Sequence, residues 1–101
     1  MQYYVAPMEG LTDRVWRQAH QKWFGGTANA PARYYAPFLS PPENRVLIRK
    51  KMAELAPEAN PGAPVIPQLL AKDGALAAWM IGELRQLGYT EVNLNLGCPA
   101  G

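Results

Sequence analysis

The sequence has one cysteine, Cys98, and one histidine, His20. A single cysteine excludes an intramolecular disulfide framework, and without a second cysteine or a nearby histidine we expect no metal site. No stretch approaches the roughly 18 apolar residues of a transmembrane helix, and the N-terminus lacks the charged leader and apolar core of a secretory signal. These absences predict a cytoplasmic protein that is not inserted in a membrane.

Charge of either sign is also modest. Ten Lys and Arg residues against eight Asp and Glu residues give a formal net charge of +2, well short of the basic composition that by itself indicates nucleic-acid binding. With 101 residues, 49% of them hydrophobic, the chain has the size and composition of one globular domain, residues 1–101. Composition therefore fits a folded domain and names no partner.

Short apolar runs of β type recur at similar intervals along the chain. They occupy 3–6, 33–38, 65–70 and 91–96, and segments with helical punctuation lie between them. Regular alternation of this kind predicts parallel strands joined by right-handed crossovers, because each connecting helix must cover a face of the sheet. The predicted fold class is α/β.

Capping signals mark the three helices. We expect the first helix to be capped by Thr12, with an inward stripe of Val15, Trp16, Ala19 and Trp23. The second has the capping box SPPE, which starts at Ser40. The third is expected to start from Asp73 and to end at Gly88, which can adopt the left-handed conformation.

Two architectures share this alternation, an open doubly wound sheet and a closed eight-stranded barrel. The first turn, APMEGLT, has no glycine-rich GxGxxG loop, so the nucleotide-binding open sheet loses its main support. A barrel needs about 250 residues. The chain is therefore expected to form the first half of a TIM (β/α)8 barrel, with four parallel strands alternating with three helices.

Polar residues stand at the end of the fourth strand, in EVNLNLGCPAG. Asn93 and Asn95 share one face by the two-residue period of a strand, which indicates either a polar site or a pair that braces a loop. Cys98 follows in a turn, where its thiol is either a small buried hydrophobe or a proton donor, since an ordinary thiol is mostly protonated at neutral pH.

Similar alternatives apply at the ends of the first and third strands. Gln68 interrupts the apolar run VIPQLL, where its amide either satisfies backbone groups or meets the imide edge of a heterocyclic ligand. Pro7 and Met8 end the first strand, where they either pack as ordinary loop residues or form an apolar surface beneath a flat ring.

Four blocks, APMEGLTD, YYAPFLSP, VIPQLL and VNLNLGCPAG, together resemble the N-terminal half of the flavin-dependent tRNA-dihydrouridine synthases. The resemblance covers essentially the whole chain. It implies an FMN-binding barrel that reduces the 5,6 double bond of uridines in tRNA, with NADPH as the reductant of the flavin.

Each site residue has a role implied by that resemblance. The segment Pro7, Met8 and Glu9 matches the one that lies against the isoalloxazine ring, and Gln68 matches the amide that hydrogen-bonds it. Asn95 matches a residue near the target uracil, and Cys98 matches the general acid.

The chain is expected to be a fragment of such an enzyme, because the later strands and the helical tRNA-binding domain of the family are missing from it. Exposed strand edges would then favour a homo-oligomer. Two alternatives stay open. One is another FMN-barrel oxidoreductase such as a dihydroorotate dehydrogenase, and the other is a non-catalytic, self-assembling α/β fragment that binds RNA weakly through the basic segment 45–51.

Overall fold

The structure, a computed structural model, describes residues 2–47 and 49–97. In chain order its elements are β1 (Tyr3–Val5), α1 (Arg14–Phe24), β2 (Pro31–Tyr35), α2 (Arg49–Leu55), a short 3-10 helix (Pro57–Ala59), β3 (Val65–Ile66), β4 (Gln68–Leu69), α3 (Gly74–Gln86) and β5 (Asn93–Leu94). Within the described ranges, no helix has the length and apolar character needed to cross a membrane.

The strands pair in parallel, which confirms the α/β class. Strand β2 lies between β1 and β3, with Tyr34 opposite Val65, and β4 pairs with β5, with Gln68 opposite Asn93. Helices connect successive pairs, as expected when parallel strands are joined by crossovers. The arrangement is consistent with part of a TIM barrel.

The third predicted strand, 65–70, is divided at Pro67. Proline has no backbone N–H to contribute to a ladder, so the segment forms β3 before it and β4 after it. The Pro67 carbonyl still accepts from Asn93 N at 2.9 Å, and Leu39 N donates to Gln68 O at 2.8 Å. The described sheets thus have three and two short strands, in place of the four longer strands expected from the sequence.

The sheet has one apolar and one polar face. On the helix side the buried core contains Tyr34, Ala36, Leu39, Leu55, Val65, Leu69, Met80 and Leu84. On the other side, Arg33 contacts Glu91, and Gln68 contacts Asn93. In a closed barrel this second side is the interior, which is usually filled by bulky apolar residues. The polar side chains on this side therefore differ from the apolar residues that usually fill a barrel interior.

Helix α1 begins one residue later than expected. Asp13 is the N-cap, with its carboxylate accepting from Trp16 N at 2.8 Å, whereas Thr12 turns back to the β1 loop. The expected inward stripe is correct only at Trp16, which packs against the core, whereas Val15 and Trp23 are 64% and 76% exposed. The packed side is offset by one position, and its central residue is Arg17, which is 1% exposed.

Arg17 is buried because polar groups surround its guanidinium. Its nitrogen atoms donate to Asn60 Oδ1 at 3.1 Å, to Thr12 O at 2.8 Å and to Glu54 O at 2.8 Å. The Glu54 carboxylate lies 3.6 Å away. Burial lowers the pKa of Arg17 and the neighbouring Glu54 raises it, with burial the larger effect. The side chain ties α1 to α2 and to the 3-10 helix.

The capping box at Ser40 does not start a helix. Leu39 is still extended there, since Leu70 N donates to its carbonyl at 2.9 Å, so the chain leaves the sheet only at Ser40. Arg45 then has a positive φ of 56°, a left-handed conformation that ends any helical run. Helix α2 begins only at Arg49.

The other predicted helix ends agree with the structure. The Asp73 carboxylate accepts from Ala75 N and Leu76 N as the N-cap of α3, and Gly88 has a φ of +99° just after this helix. Helix α1 ends at the pair Gly25 and Gly26, where Gly25 N donates to Gln21 O. These signals are local in sequence and independent of the rest of the fold.

Candidate functional site

A cleft of about 400 Å³ opens where the carboxyl ends of the parallel strands meet. We call it the strand-end cleft. It is lined by Pro7, Glu9, Pro37, Phe38, Gln68, Leu94, Asn95 and Leu96. Each segment reaches the cleft directly from a strand, and this edge is where open and closed parallel sheets place their binding sites.

The polar lining of the cleft consists of Glu9, Gln68 and Asn95, and the amide side chain of Asn93 lies beside Gln68. Gln68 Nε2 donates to Asn93 Oδ1 at 2.8 Å, and Asn95 Nδ2 donates to Gln68 Oε1 at 3.3 Å. Asn95 Oδ1 in turn accepts from Gly97 N at 3.1 Å. Backbone bonds from β5 to the carbonyls of Pro67 and Leu69 hold these side chains together.

Gln68 lies at the centre of this group and is only 9% exposed. A primary amide has two N–H donors and two acceptor positions, and the contacts with Asn93 and Asn95 use one of each. Because a buried amide without partners costs about 1–3 kcal/mol, these contacts explain how an amide is tolerated in the strand.

The loop after β1 is held in place by Thr12, which was predicted to cap α1. Thr12 Oγ1 accepts from Met8 N at 2.8 Å and lies 3.3 Å from Met8 O, to which it donates. Thr12 N also donates to Met8 O at 3.0 Å. Thr12 is almost fully buried, so the positions of Pro7 and Glu9 depend on a threonine outside the cleft.

A second polar group lies on the same face, nearer the start of the strands. Arg33 Nη1 donates to Glu91 Oε1 at 2.7 Å, and its guanidinium carbon lies 6.0 Å from the centre of the Tyr4 ring. The pKa of Arg33 is raised by a hydrogen bond with the Tyr35 side chain and, secondly, by the charge of Glu91. The rings of Tyr4 and Tyr35 are 6.4 Å apart.

The structure brings together four of the six site residues named from the sequence. Pro7, Glu9, Gln68 and Asn95 all line the strand-end cleft, whereas Met8 lies between two of them with a side chain that is half exposed. Cys98 lies outside the described residues, so its predicted role stays a prediction. The roles assigned to the other five stay predictions as well.

The residues of the cleft fit a flat heterocycle such as the isoalloxazine of FMN. Pro7, Pro37 and Phe38 supply apolar walls, and the Gln68 amide supplies a donor and an acceptor. A ring with a polar imide edge needs both kinds of surface.

Sequence reasoning missed several neighbours of the site. Pro37 and Phe38 line the cleft but are not among the site residues named from the sequence. His20 was given no role from the sequence, yet its Nδ1 lies 2.8 Å from Tyr34 Oη and its ring stacks on Trp16. The spacing of Trp16 and His20 on one helical face could have indicated this contact.

Comparison with known proteins identifies the family of the chain. The family model described as "Dihydrouridine synthase (Dus)" matches residues 4–101. A curated relative from Pseudomonas putida KT2440, named "tRNA-dihydrouridine(16) synthase", is 32% identical over an alignment that covers 99% of this chain and 31% of the relative. The chain thus spans about a third of that relative's length. No solved structure matches it. The chain belongs to the dihydrouridine synthase family.

Proposed function

We propose that the chain forms the N-terminal part of the FMN-binding barrel of a tRNA-dihydrouridine synthase. The observation that carries the proposal is that Pro7, Gln68 and Asn95 converge on one cleft at the carboxyl end of the strands. Family membership supplies the reaction class, and the apolar walls and the amide group of the cleft support a bound flavin.

When bound, FMN would supply hydride to carbon 6 of a tRNA uracil, with NADPH restoring the reduced flavin. Gln68 would hold the polar edge of the ring, with Pro7 and Phe38 against its faces. Asn95 would bind the uracil beside it. The uridine is expected to leave its stack in the tRNA to reach the cleft.

The proton for carbon 5 is assigned to Cys98, by resemblance and by its position three residues after Asn95. A thiol with an ordinary pKa near 8.5 is mostly protonated at neutral pH and can donate without activation. Hydride at carbon 6 and a proton at carbon 5 together reduce the double bond, and the thiolate regains a proton from solvent. A tRNA substrate agrees with the cytoplasmic setting expected from the single cysteine.

The rest of the barrel is expected to complete the site. Leu94 and Leu96 at β5 are largely exposed, and they would pack against further strands and helices of a complete barrel or against a second copy of the chain. Sedimentation of the chain distinguishes the two, because a monodisperse monomer at tens of micromolar contradicts the second copy.

The first test is a titration of the chain with FMN, followed by flavin fluorescence. Saturable binding that is weakened by about tenfold in Gln68→Ala is expected, since the variant loses the donor and the acceptor that meet the ring. Gln86→Ala is the control, because Gln86 lies exposed on α3. Equal affinities of the two variants would contradict the assignment of Gln68.

The second test addresses the substrate in the complete protein. The relative's name directs the first measurement to uridine 16, so dihydrouridine at that position is mapped in tRNA from cells with and without the gene. Cys98→Ala should abolish the modification and leave FMN binding intact. Unchanged dihydrouridine in cells lacking the gene would overturn the proposed activity.

A further inference from the structure

The hydrogen bonds that link the side chains of Asn95, Gln68 and Asn93 run in one direction, which is fixed by the backbone N–H of Gly97. Gly97 N can only donate, and it lies 3.1 Å from Asn95, so the facing atom must be Oδ1. The other end of the Asn95 amide, Nδ2, therefore points to Gln68, which must present Oε1 at 3.3 Å. The orientation of an amide, usually ambiguous by itself, is settled here by its neighbour.

The same logic continues to the next residue. Because Oε1 of Gln68 faces Asn95, its Nε2 faces Asn93, and the atom that accepts at 2.8 Å must be Asn93 Oδ1. One backbone N–H thus determines the orientation of three side chains in succession. Reversing any one of them would place two donors or two acceptors against each other.

We infer that Asn95, Gln68 and Asn93 form a directional hydrogen-bond relay that starts at Gly97 N–H. In this relay the two asparagines are positioning residues for the Gln68 amide. Asn93 has no role in the function assigned above. The relay specifies which atom of Gln68 lies on each side, and so where its remaining donor and acceptor are presented to the cleft. Its value for binding a flavin rests on the proposed function.

The two asparagines make different hydrogen bonds, so replacing each of them by aspartate gives a matched pair of substitutions. Residue 93 only accepts from Gln68, so the carboxylate of Asn93→Asp preserves the relay. Residue 95 must both accept from Gly97 and donate to Gln68, and the carboxylate of Asn95→Asp cannot donate. Both changes add the same charge at similar size, one in β5 and one just after it.

The first measurement is made on the chain without ligand. With glutamine and asparagine side chains labelled with nitrogen-15, the Gln68 Nε2 protons should show NMR cross-relaxation to the β-protons of residue 93, in the wild type and in Asn93→Asp. In Asn95→Asp the amide should reverse, and the cross-peaks should move to residue 95. Identical patterns in the two variants would overturn the relay. Dispersed backbone amide spectra confirm that each variant is folded.

The second measurement is the FMN titration. Asn95→Asp should weaken binding by about tenfold more than Asn93→Asp does, because it turns the Gln68 donor and acceptor away from their partners on the ring. Asn44→Asp controls for the added charge, since Asn44 Oδ1 only accepts, from Val46 N at 3.0 Å. Equal losses in the two cleft variants would contradict the inference. If the wild type bound no FMN, the proposed function would fail, while the NMR result would still decide the relay.

Discussion

Arg33 and Glu91 form an ion pair of 2.7 Å across the strand segment that separates them in the sheet. Their side chains are 41% and 43% exposed, so water and salt screen the pair. The contact lies on the polar face of the sheet, together with Tyr4. It joins β2 to the segment before β5 without a backbone bond between them.

Neutralising this pair should have a small, salt-dependent effect. Glu91→Gln is expected to lower the free energy of unfolding slightly at low ionic strength, and the difference should shrink in high salt. Urea denaturation at both salt concentrations measures this, with Glu43→Gln, an exposed change outside the sheet, as the control. A large loss that does not depend on salt would contradict the prediction.

Arg17 and Arg14 both pair with Glu54, but only Arg17 is buried. Arg17→Met should destabilise the fold by about 3 kcal/mol, because it removes the donor from two carbonyls and an amide oxygen that are buried or partly buried. Arg14→Met should cost less than about 1 kcal/mol, as expected for an exposed ion pair. Chemical denaturation of the two variants gives the comparison, and similar losses would show that burial does not decide the effect.

Thr12 should matter for the loop that carries Pro7 and Glu9. Thr12→Val removes both hydroxyl contacts with Met8 and leaves the Met8 N–H without its acceptor, at an expected cost of about 1–2 kcal/mol. Thr12→Ser keeps the hydroxyl and should retain most of the stability. FMN affinity should fall with Val and be largely kept with Ser, measured by the same fluorescence titration. Loss of affinity in both variants would assign the effect to packing of the methyl group.

Tyr34 should contribute to alkaline unfolding. Burial raises the pKa of its phenol, so in the unfolded chain the group ionises first, near its ordinary value of about 10. Stability from this group is fully present below that pH, and it is lost as the pH rises through the raised folded pKa. Tyr34→Phe should therefore show a shallower fall of unfolding free energy above about pH 10 than the wild type. Equal slopes would contradict this; Tyr89, whose pKa burial also raises, remains in both proteins.

Local signals predicted part of the fold correctly. Asp73 and Gly88 mark the ends of α3 through contacts within a few residues, and the alternation in 91–96 placed Asn93 and Asn95 on one face. The parallel order followed from the recurrence of strand and helix. These features depend on neighbours that are close in sequence or fixed by the period of a strand.

Other features depended on partners that are distant in sequence. The capping box at Ser40 failed because Leu39 is hydrogen-bonded to the strand segment at 68–70, which no local pattern reveals. Arg17 was missed because its acceptor Asn60 lies 43 positions away. The position of Gln68 between two asparagines likewise required the pairing of β4 with β5.

Each strand pairs with the strand of the next repeat, and this has a consequence for synthesis on the ribosome. When β2 emerges, its partner β1 has already been made, and the same is true of β5 and β4. Among the described strands, the sheets can therefore be extended in the order of translation. Stalling the ribosome after each repeat and probing the nascent chain with protease would reveal stepwise protection.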